Sequence, residues 1–158
     1  MIKRIEYLYT LYNNIFAYTP LLHSFYEEYI GQDKDVLLSY LILPLVLNET
    51  SRNKLVKLTA RSSLFTFCKY EECIIGLPER IKQYKAVTND CIQYGVDRGL
   101  FTVSDSLHIE VSKLENSENF IVDNDKIKAA KKIAMILKSF DIPTIYRNLG
   151  VAELWKVL

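Results

Sequence analysis

Glycine and proline are scarce, five and four among 158 residues. A chain so poor in the residues that punctuate loops is neither loop-rich nor disordered. The cysteines, Cys68, Cys73 and Cys91, are odd in number and form no Cys-x-x-Cys pair. That spacing excludes a disulfide framework and a paired-thiolate metal motif, and predicts reduced, buried thiols in a cytoplasmic protein. Two histidines, His23 and His108, stand alone without a ligand motif, and structural or surface roles are expected of both. There is no Gly-x-Ser-x-Gly elbow for a nucleophile and no Gly-rich turn ending in Gly-Lys-Ser/Thr for a nucleotide phosphate. The first residues, Met1-Ile2-Lys3-Arg4-Ile5-Glu6, lack the apolar core of a secretory leader. The most apolar run, Val36 to Leu47, is about half a membrane span and holds Pro44, so it reads as a buried helix. No internal repeat or low-complexity tract is present.

What remains is an ordinary globular composition. The length favours one domain, here 1–158, and no stretch reads as a linker. The eleven tyrosines and seven phenylalanines exceed what a core of this size requires, so some are expected at an interface. The net charge of +1 implies no global attraction to nucleic acid, but the charges are unevenly placed. Between Ser51 and Tyr70 stand Arg52, Lys54, Lys57, Arg61 and Lys69 with no acid, whereas Ser104 to Asp125 holds six acids and one lysine. A basic side and an acidic side follow.

The pattern along the chain is mainly helical. A short helix is predicted over Ile5 to Tyr12 and broken at Asn13-Asn14, with a second opening at Thr19-Pro20 and stopping at Gly31. Asp35 is read as the cap of the apolar helix containing Pro44, Thr50 or Ser51 as the cap of the next, and Ser62 or Ser63 as the start of a short one. Lys113 to Asp123 reads as a polar, acidic surface loop. Asn124 then caps a helix whose Ile127, Ala130, Ile133, Ala134, Leu137 and Phe140 form one stripe, with Lys128, Lys131, Lys132 and Lys138 facing away. Asp141 to Thr144 caps a final helix ending near Gly150.

The stretch from about 72 to 112 has the order of a winged-helix unit. A helix through Leu77-Pro78-Glu79-Arg80-Ile81, a short turn and a second helix from Ala86 to Val96 lead into a hairpin, Leu100 to Val103 and Leu107 to Val111 around Ser104-Asp105-Ser106. The expected fold is therefore a mainly α, single compact helical domain containing a winged-helix-like unit with one small β-hairpin. DNA-reading winged helices carry basic residues on the recognition helix and wing. Here Lys85 and Arg98 are offset by Asp90 and Asp97, and the hairpin carries Asp105 and Glu110 without a lysine or arginine. Docking to protein fits better, and Phe101, Asp105, His108, Glu110, Tyr146 and Arg147 are the expected partner interface. Arg52, Lys54, Lys57 and Arg61, at roughly helical spacing, are the expected DNA contact.

The order of several blocks resembles a known family. They are Tyr12-Asn13-Asn14-Ile15-Phe16; Leu43-Pro44-Leu45-Val46-Leu47-Asn48 followed by Thr50-Ser51-Arg52; Leu77 to Ile81 with Ala86, Thr88 and Gly95 to Leu100; Lys131-Lys132-Ile133-Ala134; and Ile145-Tyr146-Arg147-Asn148-Leu149-Gly150-Val151. Together they look like the middle component of bacterial three-component ABC-ATPase systems, among them the small subunit of Lamassu-type defence complexes against phages and plasmids. The resemblance implies a non-catalytic adaptor in the bacterial cytoplasm, without cofactor, metal, membrane or small-molecule ligand. Its implied partners are an SMC-like ABC ATPase and an effector nuclease, held inactive until foreign DNA is sensed, with DNA reached through the complex. Two other readings stand beside it: an autonomous winged-helix DNA-binding regulator, and a small metal-dependent nuclease using Glu71 and Glu72.

Overall fold

The structure is a computed structural model and describes residues 2–113 and 123–158. Most of the expected acidic loop after Lys113 lies outside the described residues.

The first element, α1 (Ile2–Glu28), is one helix through both predicted breaks. Pro20 sits inside it and has no N–H to give to the ladder, at a cost of about 3 kcal/mol. Leu21, Leu22 and Phe25 directly after it are buried, each contributing about 1.5–3 kcal/mol, so packing outweighs the local penalty. A 3-10 turn (Asp35–Leu38) leads into α2 (Ser39–Val46), whose residues from Leu41 to Val46 are all buried and which also accommodates a proline, Pro44.

Asn48, not Thr50 or Ser51, caps α3 (Glu49–Leu55): its side chain accepts the Ser51 N–H at 3.0 Å, while the Ser51 hydroxyl donates inward to the Cys73 carbonyl at 2.9 Å. Ser63 caps α4 (Leu64–Cys68) in a reciprocal box with Thr66, as its position predicts. A single turn, α5 (Glu71–Ile74), precedes α6 (Leu77–Asp97).

The two helices expected of a winged-helix unit are one helix in α6. The turn expected between Ile81 and Ala86 does not exist, because Lys82-Gln83-Tyr84-Lys85 contains no breaker and continues the helix. The real boundaries are glycines in left-handed conformation, Gly76 (φ 73°) before it and Gly99 (φ 73°) after it. At the second, the Leu100 N–H reaches the Gly95 carbonyl at 2.7 Å and the Gly99 N–H reaches Val96 at 3.1 Å, a Schellman closure that turns the chain into the hairpin. Strands β1 (Phe101–Val103) and β2 (Ile109–Val111) pair antiparallel, Thr102 opposite Glu110, where the hairpin was expected.

Asp123, one residue before the expected Asn124, caps α7 (Asn124–Leu137) by accepting the Asp125 and Lys126 N–H groups. The predicted stripe is the buried face of α7, with Ile127 and Phe140 partly covered at its ends. Asp141 caps α8 (Ile142–Asn148), and a 3-10 turn (Leu154–Lys156) follows. In this single compact helical domain α1 lies on α7 and α6, and α2 packs on α6. The hairpin rests on the C-terminal part of α1 and the end of α6.

Candidate functional site

The densest polar geometry lies where the loop after α1 meets the tip of the hairpin. Asp35 is fully buried, and it is not the helix cap its position predicts. One carboxylate oxygen, Oδ1, accepts the Ile109 N–H at 2.8 Å. The other, Oδ2, accepts the Gln32 N–H at 3.2 Å and stands 2.6 Å from His108 Nδ1. The Asp35 carbonyl takes the Tyr26 hydroxyl at 2.7 Å, and that hydroxyl also meets Ser39 Oγ at 2.7 Å. Two backbone bonds complete the joint, Lys34 N–H to the Ser106 carbonyl at 2.8 Å and Val36 N–H to the Leu107 carbonyl at 3.1 Å.

Lys34 (φ 62°) and Leu107 (φ 61°) face each other across this joint, and both adopt the left-handed conformation that side chains disfavour. Such positions cost on the order of 1 kcal/mol or more each and persist only where surrounding bonds over-determine them, as they do here. The strained geometry leaves Leu107 exposed beside Val103, with Ile30 exposed on the facing loop at 71%. Asp33, Asp105 and Glu110 are exposed around them. Beside the loop a groove of about 200 Å³ runs to the start of α8, lined by Asp33, Lys34, Leu37, Asp141 and Ile142 among others.

His108 is oriented by the buried carboxylate so that Nε2 faces outward, 4.0 Å from Glu110 Oε1. An imidazole held this way is also the base of nucleophilic enzymes. The hydroxyls of the hairpin turn are otherwise engaged, however: Ser104 Oγ accepts the His108 N–H at 3.1 Å and meets Ser106 Oγ at 2.9 Å. The joint is an architectural anchor for two segments that carry exposed Ile30, Val103 and Leu107 and exposed charges of both signs, Lys34 with Asp33, Asp105 and Glu110.

The remaining predicted residues scatter. Phe101 is buried, packed against Gly95 and stacked with His23 at 6.2 Å between ring centres, so it is core and not interface. Tyr146 is likewise buried, its hydroxyl donating to the Leu37 carbonyl at 2.6 Å, and burial pushes that phenol well above its ordinary pKa. Arg147 is exposed at the last turn of α8, and Asp105 and Glu110 are exposed as expected.

The expected DNA face on α3 is not one face. Arg52 donates to the Val46 carbonyl at 3.0 Å, closing the end of α2. Lys54 lies 4.4 Å over the Tyr70 ring and 3.8 Å from Glu72. Lys57 and Arg61 are exposed, but beyond the end of the helix. His23 is a buried structural histidine whose Nε2 lies 2.7 Å from the Ser112 carbonyl, tying α1 to the hairpin exit. Of the thiols, Cys73 and Cys91 are buried and Cys68 partly so, and all are free.

Asp35, Ile30, Lys34 and Leu107 were not legible as a site. Asp35 resembles a helix cap, and a left-handed leucine has no sequence signal.

The blocks that carry the family resemblance fall on α1, on α2 with the start of α3, on α6 and on the α7–α8 pair. A family model for the ABC-three component (ABC-3C) system Middle Component 3 matches residues 2–153. The chain belongs to this family.

No curated protein and no solved structure matches it. The match to this middle component spans every element from α1 to α8, so the joint at Asp35 lies within the family domain. Among the described residues of the middle component there is no cluster of His, Cys, Asp or Glu suited to a metal ion. No helix among them is long and apolar enough to cross a membrane.

Proposed function

We propose that this middle component is a non-catalytic scaffold in a Lamassu-like defence complex, joining an SMC-like ABC ATPase to an effector nuclease and holding the effector inactive until foreign DNA is sensed. The observation that carries this reading is the joint at Asp35. A fully buried carboxylate fixes a strained loop and hairpin on which Ile30, Val103 and Leu107 stand in solvent, with Asp33, Lys34, Asp105 and Glu110 exposed on the same segments. Exposed apolar anchors on a pre-organised support, with a charged rim, are what a docking surface needs. Membership of a multi-component family supplies the context. The scaffold reading is preferred to the regulator reading because the expected helix–turn–helix is one continuous helix, α6.

The test is co-expression of the tagged chain with the other components of its operon, followed by purification and native mass spectrometry. A fixed-ratio complex with the ATPase and the effector is expected. Leu107→Asp combined with Ile30→Asp should release one of them while the variant keeps its circular dichroism. Recovery of the chain alone from the wild-type operon would sink the scaffold reading.

A further inference from the structure

A second surface differs in chemistry from the first. On α7, Lys128, Lys131, Lys132 and Lys138 share the side of the helix turned away from the buried stripe, as their spacing requires. The Lys132 ammonium donates to the Leu58 carbonyl, which brings this row against the turn carrying Lys57 and Arg61. Those two residues, both exposed and without a structural task above, flank the Leu58 contact in sequence and so stand next to the α7 row. A groove of about 280 Å³ runs along it, lined by Glu28, Lys131, Lys132, Met135 and Lys138. Glu28 is the one acid in that lining, and its pair with Lys131 is long, 3.9 Å, with both side chains about half exposed. Such a pair is worth about 0–1 kcal/mol and yields readily to a competing anion.

We propose that this row, Lys57, Arg61, Lys128, Lys131 and Lys138 around the Lys132 anchor, binds the phosphate backbone of double-stranded DNA without reading its sequence. Lys128 to Lys138 spans about 15 Å along the helix, about four phosphate spacings of one strand. None of the large apolar side chains exposed among the described residues lines this groove, and Phe65, near the Lys138 end of the row, is engaged with the Phe140 ring at 5.4 Å. A surface of mobile cations without an apolar anchor suits phosphates, whereas a protein interface draws its affinity from anchors. The proposal is independent of the scaffold reading: DNA held here and a partner held at the Asp35 joint use different residues.

The test uses the full chain and a fluorescein-labelled duplex of about 30 base pairs of arbitrary sequence, followed by anisotropy between about 50 and 200 mM salt. Four to five phosphate contacts give a log–log slope of about −4, so affinity should fall roughly 10²-fold over that range. Lys128→Glu with Lys131→Glu, and separately Lys57→Glu with Arg61→Glu, should each weaken binding at 50 mM salt by about tenfold or more and flatten the slope by about 2. The control pair Lys82→Glu with Lys156→Glu makes the same charge change elsewhere and should leave affinity within about threefold. Lys128→Gln with Lys131→Gln repeats the first test without new repulsion, and circular dichroism reports the helix content of every variant. The proposal is overturned if the wild-type chain fails to bind at 50 mM salt, if the control pair loses as much as the test pairs, or if both test pairs bind normally. Equal or tighter binding of poly-glutamate would also overturn it, assigning the row to an acidic protein surface.

Discussion

Gly31 lies directly beneath the His108 imidazole: a β-carbon at residue 31 would stand 1.9 Å from His108 Cε1. The ring is held in place by the buried Asp35 carboxylate 2.6 Å from Nδ1, so neither partner has room to move aside without opening the joint.

Gly31→Ala is therefore expected to cost about 2 kcal/mol, by overpacking and by straining the hydrogen bonds to a buried carboxylate. Thermal denaturation checks the loss. In a His108→Ala background, which itself loses the partner of a buried carboxylate, the same change should cost much less, because removing the ring removes the collision; an undiminished cost there would disprove the clash.

Gly95→Ala sets two effects against each other. Alanine gains about 1 kcal/mol in a helix interior. A β-carbon there would meet Phe101 Cδ2 at 2.1 Å, and the buried ring has no free volume to enter, so overpacking of about 1–3 kcal/mol prevails. Net destabilisation of about 1–2 kcal/mol is expected in a urea melt; a more stable variant would show that Phe101 is not locked against α6.

The thiols should be silent in the native protein. Burial pushes Cys91 up to about 12 and Cys68 up to about 11. Burial, with the Glu72 carboxylate second, also raises Cys73. Since the thiolate is the reactive form, Ellman's reagent at neutral pH should label none of them quickly, then all three after denaturation. Fast native labelling of Cys91 would contradict its burial on α6.

Asp141 gives a pH dependence with a definite sign. The Thr144 hydroxyl and backbone N–H donate to its carboxylate and hold its pKa below the ordinary value. A carboxyl depressed in the folded state stabilises above its unfolded pKa and loses that contribution as pH falls through the folded one. Asp141→Asn keeps a capping oxygen but no charge. The wild type should exceed it in melting temperature at neutral pH, with the gap closing below about pH 4. A gap independent of pH would remove the charge from the account.

Much of this architecture was legible where the signal is local. The Ser63 and Asp141 caps, the hairpin around Ser104 to Ser106 and the α7 stripe each follow from residues within a few positions of one another. Legibility ended where packing overrides local chemistry. Pro20 reads as a helix start and is a helix interior, because Thr19 before it and Leu21, Leu22 and Phe25 after it are all buried. Lys82 to Lys85 reads as a turn only by analogy with a motif, since its own residues favour helix. The site suffered most. Asp35 and His108 are 73 positions apart, and nothing near either announces the other.

The unbroken α6 has a mechanical meaning. Its twenty-one residues make a rod of about 30 Å. At one end Arg80 gathers the carbonyls of Pro44, Cys73 and Ile75; at the other, the closure at Gly99 delivers the chain into β1. Two helices with a turn between them would have bent under load at the joint. A continuous hydrogen-bonded helix has no such hinge, so the hairpin entry at one end and the carbonyls around Arg80 at the other are joined by one element.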